Sequence, residues 1–171
     1  MVVGACGSAL VAMVARICAE SPKYASVEPL ARRLVALADE LRAELMDFKE
    51  RDEAAYGAVV AARGDKDAMQ RALRTAAHVP LEGARSALAV LRLCAEALEL
   101  RNKNLVSDVG CAAEFAYAAL AACAYNVRIN HKFMKDAIVV SGQAAELERY
   151  DREAKALLGG VRRQVAATLS G

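Results

Sequence analysis

Asp52 and Tyr56 stand one helical turn apart in the segment Glu50-Arg51-Asp52-Glu53-Ala54-Ala55-Tyr56. Leu41, Leu45 and Phe48 form an apolar row that reaches Asp52 at its next four-residue step. An acid on such a row is either paired with a cation of a neighbouring helix or kept for proton transfer. Asp47, Glu50 and Glu53 fall off the row and read as solvated. A second set of polar residues brackets an Ala-rich stretch: Asn102-Lys103-Asn104 and Ser107-Asp108 precede it, and Asn126, Arg128 and Asn130 close it. Ser107-Asp108 can cap a helix, and Asn or Arg can satisfy last-turn carbonyls. Four asparagines with Arg128 exceed what capping requires. Amides that both donate and accept suit a flat heterocycle with an amide edge.

Other chemistry is poorly supplied. His78 and His131 offer no metal-ligand spacing, and none of Cys6, Cys18, Cys94, Cys111 and Cys123 forms a CxxC pair. The cysteines are expected to be small buried hydrophobes in a reducing cytoplasm, with no metal bound. A net charge of +2 sets up no strong field for nucleic acid or an acidic membrane surface. The longest uncharged runs, Met1–Ala15 and Phe115–Val127, fall short of the roughly 18–20 residues that a membrane span needs. No basic stretch opens a signal peptide at Met1. These readings predict a cytoplasmic protein with no membrane and no nucleic-acid partner.

The elements that must hold these residues are helices. Leu30, Leu34, Leu37, Leu41, Leu45 and Phe48 recur at three- and four-residue steps, and no alternating strand pattern appears. Met1 to about Ala19 is one apolar helix. Ser26 is expected to cap the next, with Pro29 in its first turn, running to Arg63 before Gly64. A third runs from Asp65–Asp67 to Leu100, with Pro80 expected to kink or split it. A fourth is the Ala-rich stretch. The fifth spans Lys135 to Leu169, with a possible break at Gly159-Gly160. The fold class is all-α, a single domain over residues 1–171 made of five or six long, mostly antiparallel helices. Asp108 and Asn126 share a face of one helix but lie about 27 Å apart along it. The Ser26–Arg63 helix would span roughly 55 Å, more than its own subunit covers, so a homodimer or higher oligomer is expected.

In this order, "DEAAY", "AAHVPLE", "NKNLVSD" and "YNVRIN" resemble the cyclodeaminase/cyclohydrolase family. That family includes the cyclodeaminase half of formimidoyltransferase-cyclodeaminase and the methenyltetrahydrofolate cyclohydrolases. The resemblance implies an all-helical, at least dimeric subunit that binds a tetrahydrofolate derivative as substrate and needs no further cofactor. It implies Asp52 as the catalytic acid, in a segment ending at Tyr56, and Pro80-Leu81 as a family turn. Asn102, Asn104, Ser107, Asp108, Asn126 and Asn130 would hold the folate. Two reactions are implied: 5-formimidoyltetrahydrofolate to 5,10-methenyltetrahydrofolate plus ammonia, and hydrolysis of the methenyl form to 10-formyltetrahydrofolate. Family members usually carry a first helix and a Pro-Gly-Gly-Gly-Ser loop, and neither is expected here; Gly4 and Gly7 align inside the following helix. The alternative reading is a helical folate-binding or scaffold protein impaired in catalysis by the loss of that loop.

Overall fold

The structure, a computed structural model, describes residues 1–171, and every regular element in it is helical. Five long helices cover Val2–Ala19 (α1), Glu28–Ala61 (α2), Lys66–Ala97 (α3), Val106–His131 (α4) and Ala137–Leu169 (α5). Short 3-10 turns lie at Pro22–Val27, Leu98–Leu100 and Lys103–Leu105. Asp65 opens α3 by accepting from the backbone N–H of Asp67 and Ala68, at 2.9 and 3.0 Å. Asp136 opens α5 in the same way through Val139 N–H at 3.1 Å. The cap of α2 is Val27 and not Ser26, whose side chain makes no capping bond; Pro29 does fall in the first turn. Gly159-Gly160 lies inside an unbroken α5.

Cross-helix contacts give the topology. Ser8 on α1 donates to the Ala38 carbonyl on α2 at 2.6 Å, and Gly4 sits against Leu45, so these helices are antiparallel. Arg33–Glu96 and Arg51–Glu82 set α2 antiparallel to α3. Arg162–Glu114 and the packing of Val165 on Gly110 set α5 antiparallel to α4. Arg74–Asp136 and Arg92–Glu153 advance together, so α3 and α5 run parallel. The core is aliphatic, with Leu34, Leu45, Leu88, Leu91, Leu120 and one large ring, Phe48, fully buried.

Glycine and alanine let the backbones approach closely. A Cβ on Gly7 would lie 2.8 Å from the Ala112 carbonyl oxygen of α4, and one on Gly4 would lie 3.0 Å from Ala119 Cβ. A backbone atom cannot step aside as a flexible side chain does. We therefore expect Gly7→Ala to lower stability by about 1–3 kcal/mol despite alanine's better helix propensity. Gly142→Ala in α5, where nothing lies within 4 Å, should raise stability by about 0.5–1 kcal/mol. Urea melts of both variants check the opposite signs.

Pro80 does not break α3, which stays one helix from Lys66 to Ala97. Proline lacks the N–H that would bond the carbonyl four residues back, which here belongs to Ala76. Asn130 of α4 supplies the missing donor: its Nδ2 lies 2.9 Å from the Ala76 oxygen and 2.8 Å from the Asn126 oxygen. The side-chain amide therefore replaces a backbone bond and fixes the register of α4 on α3. Asn130→Ala strands the Ala76 carbonyl and should cost about 1–3 kcal/mol. In a Pro80→Ala background the backbone N–H returns, so the same change should cost much less. A double-mutant cycle that shows no coupling would sink this account.

Two sequence expectations change. Cys18, Cys94 and Cys123 are buried, but Cys6 and Cys111 are exposed, because α1 and α4 are apolar on their outward faces as well. For the same reason Val2–Ala19 and Lys103–His131 reach the length and apolarity of a membrane span by composition alone. Half of the first window is buried inside the bundle.

Candidate active site

Asp52 lies where four helices meet. It projects from α2, half-buried, toward Cys123 of α4 and the amino-terminal end of α1. Gly83 of α3 completes the group, since a Cβ there would come within 3.3 Å of Cys123 Sγ and 3.4 Å of Met1 Cε. Burial raises the Asp52 carboxyl above the usual carboxylate range, and the positive amino terminus only partly offsets it. Burial likewise raises the Cys123 thiol, with the Asp52 charge adding to it, so that sulfur is not a ready thiolate. Cys94 is pushed up to about 12 by burial. The neighbouring cation does not neutralise Asp52, because Arg51 bonds Glu82 at 2.8 Å and also faces Asp47 at 3.7 Å. Asp52 is an unpaired acid with raised proton affinity, and water still reaches it.

Sequence reasoning passed over the flank of this site. Glu82 of α3 gathers Arg51, Arg85 and, at 3.8 Å, His78 into one network beside Asp52. The usable signal was His78 and Glu82 at a four-residue step, next to a glycine. Tyr56, one turn beyond Asp52, is 67% exposed. Asn126 is exposed one turn beyond Cys123, and the Asn130 amide nitrogen is committed to Ala76 and Asn126. Asp52, Tyr56, Asn126 and Asn130 thus belong to one end of the bundle.

Asn102, Asn104, Ser107 and Asp108 belong to the other. Asn102 accepts from Asn104 N–H at 3.2 Å and donates to Cys18 Sγ at 3.5 Å. Neither Ser107 nor Asp108 caps α4, whose cap position is Leu105; both lie in the first turn, where the Asp108 charge suits the helix dipole. Asn102 also lines a cavity of about 320 Å³ with Arg101, Lys103, Gln164 and Thr168. Arg101 holds a left-handed backbone at φ 55 to turn the chain there. Within one chain, α4 keeps Asp108 about 27 Å from Asn126. No three His, Cys, Asp or Glu side chains converge in a metal-ligating arrangement.

Residues 1–149 match the family model described as formiminotransferase-cyclodeaminase. A methenyltetrahydrofolate cyclohydrolase of Methylorubrum extorquens is 35% identical over 165 residues, covering 90% of this chain and 79% of that protein. The crystal structure of a formiminotetrahydrofolate cyclodeaminase from Thermotoga maritima matches with a TM-score of 0.94 at 30% identity, covering 98% of this chain and 85% of the other.

The electrostatics of Asp52 carry a pH signature. Its folded-state value lies above the unfolded one, so the ionised carboxylate opposes folding. Stability from the protonated form is fully present below the unfolded value and is lost as pH rises through the folded value. Asp52→Asn should therefore stabilise the protein at neutral pH, and the gain should shrink as the solution is acidified through the carboxylate range. Chemical melts at several pH values read this; a variant less stable at neutral pH would contradict it.

Proposed function

This chain belongs to the formiminotransferase-cyclodeaminase family, and from that premise we propose that it acts on the one-carbon unit carried between N5 and N10 of tetrahydrofolate. It is an enzyme of the cyclodeaminase/cyclohydrolase type. The two reactions share one geometry. In the first, N10 attacks the formimidoyl carbon on N5, and the tetrahedral carbon then expels ammonia to leave the methenyl bridge. In the second, water adds to the methenyl carbon, and the bond to N5 breaks to give the 10-formyl product. Both intermediates hold N5, N10 and a hydrogen on the same carbon, and they differ only in an amino or a hydroxyl group. Each needs one proton accepted during attack and one returned to the departing nitrogen.

The observation that carries this reading is the half-buried, unpaired Asp52 with its raised proton affinity. A carboxyl with a value nearer neutrality serves as acid and base in turn better than a fully solvated one. In this reading Asp52 shuttles the proton. Asn126, Asn130 and Tyr56 bind beside it, and Asn102, Asn104, Ser107 and Asp108, at the far end of α4, contribute to the folate held by a second subunit. The amide groups match the donor and acceptor edge of a pterin.

The test supplies 5-formimidoyltetrahydrofolate and 5,10-methenyltetrahydrofolate separately and follows methenyl absorbance. Formation from the first identifies the deaminase reaction, and decay of the second identifies the hydrolase. Asp52→Asn is expected to lower kcat by roughly 10²–10⁴-fold on whichever substrate turns over. Full turnover by that variant would remove Asp52 from the chemistry.

A further inference from the structure

Among the ion pairs of the chain, the most buried carboxylate is Glu82, with 22% of its side chain exposed. It stands on α3 directly before Gly83, and its first partner, Arg51, stands on α2 directly before Asp52. The Arg51–Glu82 bond of 2.8 Å therefore ties the two helices together at the level of the site. Arg85 at 3.5 Å and His78 at 3.8 Å lie farther from the same carboxylate. The Arg51 guanidinium also rests over the Phe48 ring, 4.8 Å from its centre, and lies 3.7 Å from Asp47. These contacts draw it back along α2, toward Phe48 and Asp47, and not on toward Asp52.

We propose that Glu82 is a positioning residue for Asp52: by anchoring Arg51 it keeps the guanidinium next in the chain from pairing with the carboxyl. Side chains one residue apart on a helix splay by about 100°. The long arginine stem nevertheless lets its head swing to either flank once the anchor is gone. Asp52 is then a strong draw, being half-buried with no side-chain cation of its own. Few groups face it. From α2 comes Arg51 itself, and α3 presents Glu82 and Gly83. The Cys123 thiol comes from α4, and α1 brings its amino-terminal end. Of these, Arg51 is the cation able to change partners.

An opposite charge at roughly 4–6 Å favours the carboxylate and lowers its proton affinity. Losing Glu82 should therefore undo what burial does to Asp52. Glu82 touches no substrate in this account and acts wholly through Arg51. Its effect on turnover rests on the proton-shuttle reading above; its effect on the carboxyl does not.

Two readouts keep these apart. Carbon-13 NMR follows the Asp52 carboxyl against pH, its resonance identified by its loss in Asp52→Asn. The pH profile of kcat/KM is measured on whichever folate substrate turns over, because it reports groups of the free enzyme. Glu82→Leu should move both downward by about one pH unit, the low end of what an opposite charge produces, since Asp52 is half-exposed. Glu82→Gln, which keeps an acceptor for Arg51 but no charge, should move them the same way by less. Arg51→Met, whose apolar chain can stay on Phe48, should leave both near the wild-type position. Adding Glu82→Leu to Arg51→Met should then change nothing further, the mark of a residue that acts through another. A merely structural brace lowers the urea midpoint in both single variants and leaves the Asp52 titration in place; that result overturns the proposal. So does a shift equally large with and without Arg51, which makes Glu82 act by its own charge. If the wild-type protein turns over neither folate, the proton-shuttle reading fails, and the carbon-13 titration still decides the role of Glu82.

Discussion

The closeness of α1 to α4 is the constraint on which the rest of the bundle depends. Gly7 has the Ala112 carbonyl where a side chain would begin, and Gly4 has Ala119. With only one large ring fully buried in the core, dispersion contacts come from many short side chains in near contact and not from a few bulky ones. Such packing leaves little room for adjustment. A shift of α1 would carry its amino-terminal end away from Asp52 and Gly83, so the electrostatics of the acid and the spacing of the helices are a single property. The small residues do more than fill space. They set how near four helix ends come to each other.

Much of this was legible beforehand, for a physical reason. Leucine spacing at three and four residues is a direct projection of one buried side, so the all-α class and the limits of the long helices followed from it. The position of Asp52 on the inward side of α2 came from the same projection. What failed was whatever depended on a partner distant in sequence. Pro80 reads as a break when only its neighbours are considered; Asn130, fifty residues later, supplies the bond that keeps the helix whole. Likewise α1 and α4 carry apolar residues all round, so their period does not say which cysteines face water. Nor can the sequence say that Asp52 goes unpaired, because that depends on where Arg51 turns, and it turns to Glu82.

The site combines two demands that oppose one another. A carboxyl with a raised proton affinity must be partly withdrawn from water and left without a counter-ion. Withdrawal and isolation both work against a stable fold. Here the burden falls on one residue at the rim of a rigid bundle, where solvent still limits the penalty. Nearby charges are consumed among themselves in the Arg51–Glu82–Arg85 network. That network holds the cations away from Asp52 and so preserves its affinity for a proton.

Pro80 and Asn130 bear on how such a chain can change over time. The asparagine leaves a sound helix if the proline is replaced, whereas the proline leaves an orphaned carbonyl if the asparagine is replaced. The two substitutions are therefore not interchangeable in order. Replacing Pro80 first and Asn130 second keeps the Ala76 carbonyl bonded at each step, whereas the reverse order passes through an orphaned carbonyl. A single hydrogen bond across the bundle thus acts as a ratchet on descent.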